Sequence, residues 1–203
     1  GRSDECTQMG IELLGASGLR ADLEAISLAV AALSTCVRDF RVEIGHARLF
    51  PALASRLPLP EEKREELRDA IESKNYGMLS ALLDPLGDSP AVESMKRLPR
   101  LFGGEEVLRE AERWCTDAES RETLSSLKAL YASLKELGLG DRLMVDLGLV
   151  QSRDYYTGAV FSAYVQEHGD AILSGGRYDE LCGKFGMPMP AVGFALDLDA
   201  AAA

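Results

Sequence analysis

The sequence predicts an α+β protein in which a sheet domain is interrupted by a helical block. Three observations predict it. Segments with strand character lie at both ends of the 203-residue chain, at 7–14 and 40–45 near the start and at 143–147, 155–165, 171–173 and 191–198 near the end. Between them, 47–140 is rich in Leu, Glu, Lys and Arg, with apolar residues at helical spacing. Strands and helices do not alternate one for one, as a parallel βαβ array would require.

Each element has its own justification. At 7–14, Met9, Ile11, Leu13 and Leu14 alternate loosely with polar residues, interrupted by Gly10, which reads as a strand. A turn at 15–18 leads into 20–40, where Leu23, Ile26, Val30, Leu33 and Val37 recur every three or four residues. That is an amphipathic helix, with Asp22 and Glu24 in its first turn as the helix dipole prefers. Phe40, Val42 and Ile44 then alternate with Arg41 and Glu43 as a half-buried strand. In the next block Pro60 precedes a run of glutamates, a proline at a helix start with acids in the first turns. Pro51, Pro58, Pro85, Pro90 and Pro99 divide the block into short helices, and 119–137 forms a longer one closed by Gly138 and Gly140. The block reads as an all-helical insertion, which divides the chain into 1–46, 47–140 and 141–203. Downstream, 155–165 is dense in β-formers, Gly175 and Gly176 read as a turn, 178–185 suits a short helix, and 191–198 returns to strand.

Composition excludes several classes of function. Lys plus Arg number 22 and Asp plus Glu 33, a formal charge of −11, which argues against a broad non-specific grip on nucleic acid. The longest apolar runs are too short to cross a bilayer, and no basic-then-apolar leader opens the chain. Cys6, Cys36, Cys115 and Cys182 are scattered, without the spacing of a zinc site, so reduced buried thiols in a cytoplasmic protein are expected, and no metal. No phosphate-binding glycine loop, nucleophile elbow or dinucleotide fingerprint occurs. His46 and His168 stand apart from any carboxylate or nucleophile at motif spacing and read as structural or solvated.

Three polar clusters could bind a small ligand. On a strand, Gln8, Gly10 and Glu12 share a face, with an amide and a carboxylate separated by a gap; a solvent-facing polar stripe would look the same. In QSRDYYTG, adjacent Tyr155 and Tyr156 are expected to project to opposite faces, one into the core and one lining a pocket. In SGGRYD, Gly175 and Gly176 permit close backbone approach, and Arg177 and Asp179 can pair with each other. Residue by residue, this supports a small polar-ligand pocket on a sheet and no identifiable reaction.

Taken together and in this order, the clusters carry a resemblance. TQMGIELLG resembles the second half of motif 2 of class II histidyl-tRNA synthetases, and DLGLVQSRDYYTGAVF their histidine-specific LVRGLDYYTG-like segment. LSGGRYDEL followed by PAVGFALDLD resembles their GGRYD turn and motif 3 strand. The resemblance covers about 45 residues at the start and about 60 at the end, with the helical block in the place of the family's insertion. It implies a class II synthetase-like antiparallel sheet flanked by helices. The chain would start inside motif 2, so that motif 1 and the first motif 2 strand would lie upstream. By motif match the histidine-binding residues are Gln8, Glu12, Tyr155, Tyr156, Gly175, Gly176, Arg177 and Tyr178.

Two arginine positions of that pattern are altered. The arginine of LVRGLDYY falls on Gln151 and the motif 3 arginine on Ala200. An amide and a methyl cannot replace guanidinium groups at a triphosphate, so no catalytic residue is expected. A kept amino-acid pocket with degraded ATP chemistry looks like the regulatory subunit of ATP phosphoribosyltransferase, a synthetase paralogue of histidine biosynthesis. FRVEIGHARLF and LPRLFGGEEVL also resemble that subunit. The resemblance implies a non-catalytic, cofactor-free partner of the short-form catalytic subunit in a hetero-octamer, self-associating, responsive to histidine, and free of tRNA and membrane. A histidyl-tRNA synthetase catalytic core is the alternative; a free-standing histidine sensor is a third.

Overall fold

The structure, a computed structural model, describes residues 6–150, 155–165 and 169–202. Among these, seven strands form one sheet: β1 (Gln8–Leu14), β2 (Arg41–His46), β3 (Phe102–Gly103), β4 (Leu143–Asp146), β5 (Ala159–Tyr164), β6 (Leu173–Arg177) and β7 (Ala191–Asp197). The spatial order is β1-β7-β6-β5-β2-β4-β3. Every pairing is antiparallel except β2 with β4. The sheet is therefore mixed, not purely antiparallel, because the helical block carries the chain from the end of β2 back to start β4 in the same direction.

The helices are α1 (Leu19–Cys36), α2 (Leu49–Ala54), α3 (Glu61–Glu72), α4 (Tyr76–Leu83), α5 (Pro90–Arg97), α6 (Glu105–Ala111), α7 (Ala118–Glu136) and α8 (Leu198–Ala202). Helix α1 stops at Cys36, four residues short of the periodicity, because the chain turns to extended backbone at Val37. Helix α7 starts where Asp117 accepts the Ser120 N–H at 2.8 Å, and ends at Glu136, two residues before Gly138, whose φ is +81°. The block is not all-helical: Phe102 and Gly103 form β3 against β4, a pairing too short to leave a period-two pattern in the sequence. Instead of a helix over 178–185, the chain makes only a 3-10 turn at Cys182–Phe185, stopped by left-handed Gly186 ahead of Pro188 and Pro190. No described helix is long and apolar enough to cross a membrane.

The two faces of the sheet differ in kind. Strand alternation places Ile11, Phe194, Gly175, Phe161, Ile44 and Val145 in one row across β1-β7-β6-β5-β2-β4. These apolar side chains join Ala25, Ile26, Ala29 and Leu33 of α1 and Leu127, Leu130 and Leu134 of α7 in one continuous core. On the opposite face one row reads Glu12, Gly193, Gly176, Val160 and Gly45, and the next reads Gly10, Ala195, Ser174, Ser162 and Glu43. That face is small and polar, so it cannot bury a helix of its own; it is a floor.

Candidate functional site

Glycine makes the floor. Glu12 of β1 lies opposite Gly193 of β7, and any Cβ at Gly193 would collide with the Glu12 carboxylate. Gly193 in turn lies opposite Gly176 of β6, where a Cβ would stand 2.7 Å from the Tyr156 ring. The carboxylate and the phenol ring are thus laid over neighbouring strands, with two adjacent residues lacking side chains between them. Burial pushes the Glu12 carboxyl above its ordinary value. A group that presents N–H bonds to Glu12 and an aromatic or aliphatic face to Tyr156 fits this arrangement.

Gly175 and Gly176 are therefore not a turn. They sit inside β6, and both are required by close approach: a Cβ on Gly175 would lie 2.6 Å from Phe161 and from Phe194 on the helix side. Tyr155 and Tyr156 also depart from expectation. They precede β5, which begins only at Ala159, and their ring centroids lie 4.6 Å apart instead of on opposite faces. Tyr178 closes the group edge-on, 5.9 Å from Tyr155 and 6.5 Å from Tyr156. Ahead of β5 the backbone still bonds to both neighbours, the Gly158 carbonyl accepting the Ala47 N–H and the Thr157 N–H donating to the Arg177 carbonyl, while Gly158 passes against the Arg177 side chain, where a Cβ would stand 2.8 Å from it.

The expected site residues separate into two sets. Gln8, Glu12, Tyr156, Gly176 and Tyr178 belong to the floor side of the sheet, with Tyr155 packed on the other two tyrosines. Gly175 and Arg177 alternate to the helix side. Arg177 is 6% exposed there, 2.8 Å from Asp22 of α1 and 2.7 Å from Asp179, and also donates to the Ala16 and Gly18 carbonyls. Its pairing with Asp179 was legible in sequence; Asp22, 155 residues away, was not. A cavity of about 420 Å³ adjoins this clamp, lined among others by His46, Arg48, Glu119 and Glu122. Burial, with Arg48 adding to it, pushes His46 down to about 4. Its Nδ1 accepts the Arg48 backbone N–H. Gln151 and His168 lie outside the described residues. Ala200 lies in α8, its N–H donating to Asp197 at 3.0 Å and its methyl packed against the core.

Of the cysteines only Cys115 is buried; Cys6 and Cys36 are exposed and Cys182 is half-buried. Cys6 meets Asp197 and Asp199 at the end of β7, a convergence that 190 intervening residues hide in the sequence.

Against known proteins, a model described as histidyl-tRNA synthetase matches residues 1–201. The chain belongs to the histidyl-tRNA synthetase family. A curated relative from Clostridium botulinum, named ATP phosphoribosyltransferase regulatory subunit, is 40% identical over 98% of this chain and 48% of its own length. A crystal structure from Bacillus halodurans, described as an ATP phosphoribosyltransferase regulatory subunit/histidyl-tRNA synthetase, is 33% identical with a TM-score of 0.89, covering 96% of this chain and 52% of that one. The fold alone is shared with a chain of the ATP phosphoribosyl transferase (HisG:HisZ) complex of Thermotoga maritima, at 20% identity and TM-score 0.74, over 95% of this chain and 66% of that one. The chain spans about half the length of the curated relatives it matches. Its sheet is thus the class II synthetase-like sheet of the family, with α1 and α7 packed on its apolar face.

Proposed function

We propose that this chain is the synthetase-like body of an ATP phosphoribosyltransferase regulatory subunit, which binds histidine and controls a short catalytic subunit without performing chemistry. Two observations carry the reading: a side-chain floor suited to an amino acid, with Glu12 over Gly193 and Tyr156 over Gly176, and, in the sequence, Ala200 at a position where the family pattern has an arginine. Gln151 repeats that loss in the sequence. In this reading the tyrosine cluster grips the ligand's apolar body, Glu12 takes its N–H groups, and Gln8 takes its polar end. Tyr155, Gly175 and Arg177 shape the site from behind. Control is linkage: histidine favours one assembly state through contacts that differ between states. The partner is the catalytic subunit, in a hetero-octamer built on self-association of this chain in the cytoplasm, with no tRNA and no cofactor. The segment 47–140 acts as the family's inserted unit.

Two measurements test this. Calorimetry with histidine should show saturable binding that Glu12→Ala weakens at least tenfold, since a charged hydrogen bond contributes about 1.5–3 kcal/mol. Mixing with the short catalytic subunit should raise its turnover and make it histidine-sensitive; no change would end the proposal. The family match itself supports a second reading, a synthetase core, and robust histidine-dependent pyrophosphate exchange with ATP would replace the first.

A further inference from the structure

The floor continues past the glycines into a second concavity that the histidine reading does not use. It has a volume of about 500 Å³ and lies over β6, β5, β2 and β4, beneath the turn that joins α3 to α4. Ser174, Ser162 and Glu43 are consecutive members of one row across the sheet, and Asp146 stands at the end of β4. Leu149 and Val150 supply an apolar wall.

The two carboxylates are under-supplied with donors. The Asp146 side chain is 4% exposed; its Oδ1 accepts the Gly148 N–H at 2.7 Å, while Oδ2 has no hydrogen bond among the described residues. The nearest cation to Oδ2, Lys74 Nζ, is 4.0 Å away on a side chain 56% exposed. That lysine is shared with the Phe102 ring, 5.5 Å from the ammonium. Glu43, half-buried, has no hydrogen-bond partner among the described residues. Both carboxylates line the cavity, and partial loss of water around a carboxylate favours a partner that brings it hydrogen-bond donors. We infer that this concavity is a binding site for a small organic cation bearing N–H donors, such as a primary ammonium or a guanidinium, held between Asp146 and Glu43 with Ser162 and Ser174 beside it.

A metal ion suits the site less well. Among the described residues the converging trio of metal-type ligands, Cys6 with Asp197 and Asp199, is elsewhere. Two carboxylates with hydroxyls and an aliphatic wall match an ammonium or guanidinium on a short carbon body. Lys74 at the rim would be displaced by the ligand's cation or would pair with an anionic group on the same molecule. The site shares no residue with the Glu12, Tyr156 and Tyr178 group, so it stands whether or not the histidine reading does.

Titration of the full chain with ethylammonium and with guanidinium at millimolar concentration, at pH 8 and constant ionic strength, tests the inference. Amide NMR shifts of Gly148 and Ser174 are the readout, and tetramethylammonium is the cation without N–H donors. Saturable shifts are expected with at least one of the first two and none with tetramethylammonium. Glu43→Gln and Asp146→Asn should each raise Kd at least tenfold; Asn keeps the acceptor for Gly148, and Glu43→Gln serves if the other variant does not fold. Glu12→Ala should leave these shifts unchanged. Absence of saturation with both donors, equal shifts with tetramethylammonium, or an unchanged Kd in Glu43→Gln would overturn the site.

Discussion

Arg177 and the Asp146–Glu43 pair are both buried charge centres on the same sheet, one on each face, and they are built on opposite plans. Arg177 brings one guanidinium to two carboxylates and two backbone carbonyls, so its donors are spent inside the protein. Asp146 and Glu43 bring two carboxylates to one lysine that touches neither closely. The first centre ties the start of α1, through Asp22 and the Gly18 carbonyl, to the end of β6. The second ties little together and faces a cavity. A satisfied network holds a fold; an unsatisfied one has capacity left for a ligand.

The largest expected effect breaks the satisfied centre. Arg177→Met leaves Asp22 and Asp179 without their cation and should cost about 3–5 kcal/mol in denaturant unfolding at pH 7. A loss under about 1 kcal/mol would make the two centres alike. Next comes His46, which lines the cavity beside Arg177 and whose burial pushes it down to about 4. The folded state keeps it neutral while the unfolded chain takes a proton below about 6.5, so its contribution is present above that pH and lost as pH falls toward 4. His46→Gln should remove on the order of 3 kcal/mol of this acid sensitivity, read as the difference in unfolding free energy between pH 7 and pH 4.

The smallest effect has the opposite sign and belongs to the open centre. Burial, then the Asp146 carboxylate, push Glu43 up to about 7 against the pull of Lys74. Glu72 and Tyr164 also line its cavity, and neither supplies a cation. Here the folded state holds the proton that the unfolded chain releases above about 4.5, so stability falls as pH rises from 4.5 to 7. Glu43→Gln should flatten that slope and stabilise the protein at pH 8 by on the order of 1 kcal/mol, with solvent screening reducing the effect at this half-buried group. Equal slopes in thermal unfolding between pH 5 and pH 8 would show that Glu43 is already compensated.

The ligand floor shows where sequence reading reaches. Gln8 and Glu12 share a face because strand side chains alternate, and that periodicity is written in the chain itself. By the same rule Arg177, one residue after Gly176, points to the helices, a parity that motif membership does not state. The paired glycines read as a turn because turns are their commonest use, whereas here each makes room for a ring, Phe161 and Phe194 above Gly175 and Tyr156 below Gly176. No local signal encodes that demand, because the rings come from distant strands and loops.

By itself the sequence determined most of the strand segments at both ends, though not β6, expected at 171–173 and found at Leu173–Arg177, and it determined a mainly helical block between them, the acidic charge and the family, because these rest on local periodicity, composition and motif order. Tertiary structure alone decided that β2 runs parallel to β4, that Asp22 closes on Arg177 across 155 residues, and that Glu43 and Asp146 share one cavity. These depend on which strands become neighbours, and a sheet's neighbours are chosen by long-range burial of its apolar face, a cooperative property of the whole chain that no window of residues contains.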